Sequence, residues 1–136
     1  MADLSPTAAS VLQSSGTSVS SGVASTTITR GQYVYVLANG TIGLADSNGT
    51  TPANSVAGCC IADCATGQTC FYVASDSGFT TGFTVLAGDT IWLSDTPGAA
   101  TKTYADIASG STVIPLGVMT STTVMRFSPL VGGVKA

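Results

Sequence analysis

The chain has 136 residues, of which only 8% are charged: seven Asp, two Arg and two Lys, with no His and no Glu. Ordinary soluble domains carry about a quarter charged residues, and scarce Glu, Lys and Gln argue against much helix surface. A net charge of −3 with scattered basic residues excludes the clustered cations that a nucleic-acid face needs.

The length suits one domain with a real core, and the Thr, Ser, Val, Ala and Gly that dominate suit short strands joined by tight turns. Residues 1–26 have low complexity and no clear apolar period, so they read as an extended N-terminal arm. Met1-Ala2-Asp3-Leu4 lacks the basic region and apolar run of a secretion signal. Ser5-Pro6 would start at most a short helix, because the Ser/Thr/Gly run from Ser14 to Ser21 opposes its extension.

A β domain is expected over residues 27–130. Its clearest element is a hairpin, Gln32 to Ala38 and Thr41 to Ala45, flanking the turn signal Asn39-Gly40. A two-residue turn there sets Leu37 opposite Ile42 and Tyr35 opposite Leu44. One side then carries Tyr33, Tyr35, Leu37, Ile42 and Leu44; the other carries Val34, Val36, Ala38, Thr41, Gly43 and Ala45. Neither side has a charge, so both should be covered. The longest apolar run, Tyr33 to Ala38, is too short to cross a bilayer as a helix. Further strands are expected at Val56 to Ala62, Thr69 to Ala74, Asp89 to Ser94, Thr101 to Ala105, Thr112 to Thr120 and Val124 to Ser128, with Phe79 to Val85 bridging into the second copy. Residues 131–136 form a loose tail. The fold class is all-β, a small barrel or sandwich.

The strand plan is written twice. Thr29-Arg30-Gly31-Gln32-Tyr33-Val34-Tyr35-Val36 returns 57 positions later as Leu86-Ala87-Gly88-Asp89-Thr90-Ile91-Trp92-Leu93. Ala45-Asp46 returns as Ala105-Asp106, and Val56-Ala57-Gly58 matches Leu116-Gly117 around the glycine. Intervening loops vary while strands keep register. The domain is therefore expected to be two pseudo-repeated β units.

Residues with chemistry are few. A Ser or Cys nucleophile needs a base, and His is absent. Asp46 and Asp106 at strand ends read as turn caps rather than a catalytic pair. Cys59, Cys60, Cys64 and Cys70 lack the paired Cys-x2-Cys knuckles of structural zinc. Cys59 and Cys60, adjacent on a strand, point to opposite faces. Small buried apolar side chains are the expected role, and a Cys59–Cys70 disulfide is the alternative. Asp46-Ser47-Asn48-Gly49 lacks the further acidic ligands of a calcium loop, and the glycines are too dispersed for a phosphate loop. The expectation is no catalytic residue, no metal and no cofactor. Tyr35 and Trp92, equivalent in the two copies, are either core plugs or interface anchors.

The pattern resembles the small capsid decoration, or cement, proteins of tailed bacteriophages. The resemblance rests on Ile28-Thr29-Arg30-Gly31-Gln32-Tyr33-Val34-Tyr35, Gly43-Leu44-Ala45-Asp46 and Val56-Ala57-Gly58-Cys59-Cys60-Ile61-Ala62, where the two cysteines depart from a Val-x-Gly-Ile-Ala strand. Ala87-Gly88-Asp89-Thr90-Ile91-Trp92-Leu93-Ser94 and Pro115-Leu116-Gly117-Val118-Met119 continue it. It implies a structural virion protein, often a homotrimer, that binds the major capsid protein on the outer face of an icosahedral head. It implies no enzyme activity; the scattered basic residues and short apolar runs are what argue against a nucleic-acid or membrane partner. The expected interface residues are Leu4, Val11, Leu12, Tyr33, Tyr35 and Trp92. A head- or tail-fibre module that binds host surfaces is the alternative reading.

Overall fold

The computed structural model describes residues 3–49, 52–130 and 132–135. Met1, Ala2, Thr50 and Thr51 after the second Asn-Gly turn, and Val131 and Ala136 of the expected tail lie outside the described residues. The protein is all-β and consists of two five-stranded antiparallel sheets. The first holds β1 (Ser20–Val23), β2 (Tyr33–Val36), β3 (Ile42–Leu44), β4 (Gly58–Cys60) and β5 (Thr69–Val73), in the order β1-β5-β4-β2-β3. The second holds β6 (Asp76–Thr80), β7 (Thr90–Leu93), β8 (Ala100–Thr101), β9 (Pro115–Met119) and β10 (Val124–Phe127), in the order β6-β10-β9-β7-β8. Adding five to each label of the first sheet reproduces the second, so the duplication extends to topology. Two single-turn 3-10 segments, Ala8–Ser10 and Tyr104–Asp106, are the helical content among the described residues. No helix there is long and apolar enough to cross a membrane. The architecture is sandwich-like, without a closed barrel.

The repeated octet is repeated in its hydrogen bonds. Before β2, the Gln32 backbone N–H donates to Thr29 O at 3.0 Å and Thr29 N–H donates to Gln32 Oε1 at 2.8 Å. Before β7, Asp89 N–H donates to Leu86 O at 3.1 Å and Leu86 N–H to Asp89 Oδ2 at 3.0 Å. Gly31 (φ 100°) and Gly88 (φ 91°) occupy the third position of these turns, where positive φ favours glycine. Gly31 N–H then donates to Cys60 O, and Gly88 N–H to Met119 O, which makes Cys60 and Met119 equivalent. Gly58 and Gly117 also share one cause: a Cβ would lie 2.4 Å from Val73 O in the first unit and 2.1 Å from Arg126 O in the second. The backbones approach too closely for any side chain.

The hairpin register differs from the sequence expectation by one residue. Gly40 N–H donates to Leu37 O and Leu37 N–H to Thr41 O, with Gly40 at φ 85°. This is a type I turn followed by a left-handed bulge residue, not a two-residue primed turn. Val34 therefore faces Leu44, Tyr35 faces Gly43, and Val36 faces Ile42. One face carries Val34, Val36, Ile42 and Leu44, and the Tyr35 ring covers Gly43 on the other. Burial decides between the registers: this one gathers Val34, Ile42 and Leu44 into a single cluster.

Two cores result. The smaller holds Ala24, Ile28, Val34, Ile42, Cys60, Cys64 and Cys70 within the first unit. The larger holds Phe79, Ile91, Leu93, Leu116, Met125 and Phe127 of the second unit together with Tyr33, Ala45 and Cys59 of the first. Tyr33 packs on Phe127 with ring centroids 5.7 Å apart. Cys59 and Cys60 thus do point to opposite faces of β4. Ala105-Asp106 is not the structural counterpart of Ala45-Asp46. Tyr35 faces Gly43 and Trp92 faces Thr101, so the Ala-Asp pair falls two residues late, in the 3-10 turn.

Candidate functional site

The N-terminal segment is committed to this chain. Leu4 bridges Ala100 on β8 and Leu12 bridges Thr80 on β6, so residues 4–12 cross from one edge of the second sheet to the other. Val11 is fully buried in the larger core and Leu4 packs against it. The Arg30 guanidinium donates to Val11 O, and Asp76 accepts from Ser14 N–H (2.7 Å), Ser14 Oγ and Gly78 N–H (3.0 Å). Burial alone would raise the Asp76 pKa, but these donors outweigh it and hold the carboxyl below its ordinary value. The sequence reading missed this clamp; its signal was an Asp at the start of a strand, Asp76-Ser77-Gly78, opening β6. It also ran the arm through β1, which is a strand of the first sheet.

Of the six expected interface residues, Val11 and Tyr33 have their side chains buried inside this chain, and Leu4 and Tyr35 pack on the same core. Val11 and Tyr33 are enclosed within this chain, while Leu4 and Tyr35 keep part of their surface exposed. Trp92 is half-buried on the outer side of β7, edge-on to Tyr104 at 5.3 Å with the rings inclined by 63°. Lys135 Nζ sits 4.4 Å from the Tyr104 ring centroid and donates to Ile107 O at 2.6 Å. Leu12 remains 55% exposed.

A different outward strip emerges on the first sheet. Ser21 pairs with Phe71 and Val23 with Thr69 across β1 and β5, so Val23 and Phe71 are diagonal neighbours on one face. By alternation Val19, one residue before β1, shares that face. The three are 44% (Val19), 47% (Val23) and 45% (Phe71) exposed. They flank β1, an edge strand whose remaining neighbours are small Ser and Gly. An exposed apolar strip of this kind on a sheet can accept a flat apolar partner.

Three of the four cysteines converge. Among the described residues, Cys60, Cys64 and Cys70 are the one group of potential metal ligands whose ligand atoms lie within 4.8 Å of one another, and all three are buried. Cys60 Sγ and Cys70 Sγ are 3.4 Å apart, and Cys60 Sγ donates to Ala62 O at 2.8 Å. Burial raises the pKa values of Cys60 and Cys70, so both are neutral thiols. Cys59 faces the other core opposite Val73, which separates it from Cys70 and removes the geometry of a Cys59–Cys70 disulfide.

The acidic residues serve joints. Asp46 Oδ1 accepts from Asn48 N–H at 3.0 Å, a turn cap as expected. Thr101 Oγ1 donates to Asp106 Oδ2 at 3.3 Å. Asp95 joins the two units: it accepts from Ser47 Oγ at 2.6 Å and Ala108 N–H at 2.9 Å. Burial would raise its pKa, yet these donors, Ser111 and Lys135 lower it. No protein-family model, curated protein or solved structure matches this chain.

Proposed function

We propose that the chain is a structural virion subunit that decorates the outer face of an icosahedral phage head, as a homotrimer bound to the major capsid protein across capsomer junctions. Its action is thermodynamic. A subunit that binds the assembled shell and not its separated parts stabilises assembly by mass action, about 2.7 kcal/mol per site at a free concentration 100 times Kd. The resemblance over residues 27–130 motivates the reading, and the exposed Val19, Val23 and Phe71 strip beside β1 supports it as the contact face. A surface with so few charges gains affinity from apolar burial rather than ion pairs. Binding of this kind should resist salt.

The test mixes purified protein with undecorated phage capsids, then measures co-sedimentation and survival of heat or osmotic shock. Wild-type protein is expected to bind and raise resistance. Phe71→Asp and Val23→Asp are expected to weaken binding more than about tenfold, a 1.4 kcal/mol effect, while keeping the wild-type circular dichroism spectrum. No binding and no gain in resistance would remove the proposal. Light scattering after size-exclusion chromatography tests the trimer separately.

A further inference from the structure

We propose that Cys60, Cys64 and Cys70 form a three-sulfur site for one soft, thiophilic d10 metal ion, with Cu(I) the best match. The inference is independent of capsid binding. It rests on convergence from three separate backbone segments. Cys60 lies on β4 and Cys70 on β5, diagonal to each other, because the strand register sets Tyr72 opposite Cys60. Cys64 lies in the connecting loop, which is pinned back by the Ile28–Cys64 bridge: Ile28 N–H donates to Cys64 O and Cys64 N–H to Ile28 O, both at 2.9 Å. Three sulfurs about 2.3 Å from a central ion in a plane lie roughly 4 Å from one another. The observed separations, 3.4 Å for Cys60–Cys70 and none above 4.8 Å, bracket that value.

Ordinary core packing does not account for the convergence. The equivalent of Cys60 in the second unit is Met119, fully packed in its own core, and that unit has no cysteine. A thioether fills the same kind of space, so the position does not need a thiol. The donor set also discriminates. It contains sulfur only, in a chain without His, and soft thiolates select Cu(I), Zn(II) or iron–sulfur clusters. Structural zinc takes four protein ligands; this cluster offers three, the number that suits Cu(I). The sulfurs share a buried apolar cluster with Ala24, Val34 and Ile42, a dry setting that disfavours hard, hydrated cations.

Access is through Cys64, which lines a surface hollow of about 290 Å³ with Asp63, Thr29 and Gln68 at its rim. Loading makes Cu–S bonds, breaks S–H bonds and releases one proton to solvent for each thiolate formed; no electron is transferred. The Ala62 carbonyl that loses the Cys60 S–H belongs to an exposed residue, so water can replace the donor.

The test titrates reduced full-length protein with Cu(I) under anaerobic conditions, against a chromophoric chelator of known affinity, and counts sulfur neighbours by X-ray absorption. One Cu(I) per chain with three sulfur neighbours is expected. Cys60→Ser, Cys64→Ser and Cys70→Ser should each lower affinity by more than about 100-fold, and Cys59→Ser should leave it unchanged. The wild-type stoichiometry and sulfur count stand even if a buried variant fails to fold. No binding by folded wild-type protein, two sulfur neighbours, or full affinity in a folded Cys64→Ser variant would overturn the site.

Discussion

The two β units share one topology but shield their cores differently. In the first, the outer strands meet: Ala24, just after β1, bridges Ile42 of β3 in parallel, and Ser25 N–H donates to Ile42 O at 2.8 Å. Gly22 makes this possible, since a Cβ there would sit 2.7 Å from the Ile42 side chain. In the second unit the edge strand β6 is approached by the N-terminal segment instead: a Cβ at Gly78 would lie 3.5 Å from Ser14 Cβ. That segment spans the second sheet from Leu4 at β8 to Leu12 at β6 and inserts Val11 beneath. A duplicated sequence has thus produced one unit that shields itself and one that relies on an outside strand. The small core of the self-shielded unit is where three thiols collect.

The largest expected effects probe what the units share. Gly58→Ala and Gly117→Ala each force a Cβ against a backbone carbonyl, at 2.4 and 2.1 Å. Backbone cannot swing aside as a side chain can, so each should cost about 4 kcal/mol or more, or prevent folding. Denaturant unfolding would show the two variants similarly damaged. One tolerated and one lethal substitution would mean that the β4–β5 and β9–β10 approaches are not alike.

Next comes the difference between the units. Val11→Asp buries a charge without a partner and should cost more than about 3 kcal/mol. Leu12→Asp, on the next residue but exposed, should stay within about 0.5 kcal/mol. Hydrogen exchange on Val11→Asp should lose protection first in β6 and β10 while β4 and β5 keep theirs. Uniform loss would show that the segment supports both units equally.

These contrasts explain what was legible in the sequence. The octet around Gly31 and Gly88, the Gly58 and Gly117 pair and the all-β class were readable because each is a local rule: a turn needing positive φ, a close approach, a period of two. The hairpin register was not, because Asn39-Gly40 fits two turn types and only the burial of Val34 with Ile42 selects one. β1 was hidden for a related reason. Ser20-Ser21-Gly22-Val23 has no apolar period of its own and is a strand because β5 and Ile42 need small residues beside them. The thiol cluster was equally distant from local rules. Cys60 and Cys70 meet only through strand register, and Cys64 only through the bridge to Ile28. Of the arm residues expected to make contacts, Val11 and Leu4 pack on this chain's own larger core, while Leu12 stays exposed.

Asp76 offers a smaller lever on the same segment. Its carboxylate accepts from Ser14 and Gly78, and Asp76→Asn should cost about 1–2 kcal/mol at neutral pH. The sign with pH follows from its lowered value. A depressed folded-state pKa contributes stability that is complete above the unfolded value of about 3.9 and is lost as pH falls through the folded value. Wild type and Asp76→Asn should therefore differ fully at pH 7 and converge below about pH 4. A gap that stayed constant in acid would assign the effect to packing rather than to the ionised carboxylate.

The smallest effect isolates the arm from the turn. Gly31 and Gly88 hold equivalent left-handed positions, so alanine at either should incur the same strain, about 1 kcal/mol. Only their surroundings differ. Nothing lies within 4 Å of a Cβ at Gly88, whereas one at Gly31 would meet Val11 Cγ2 at 3.0 Å and Pro6 Cγ at 3.1 Å. Gly31→Ala should therefore cost more than Gly88→Ala by up to about 1 kcal/mol, the price of displacing the arm. The comparison becomes a double-mutant cycle when Val11→Ala is added, because shrinking Val11 removes the nearer contact. Thermal unfolding of the four variants should then show Gly31→Ala cheaper in the Val11→Ala background, with Gly88→Ala unchanged by it. Equal costs for the two glycines in wild type, with no coupling to Val11, would mean that the N-terminal segment does not rest on this turn in solution.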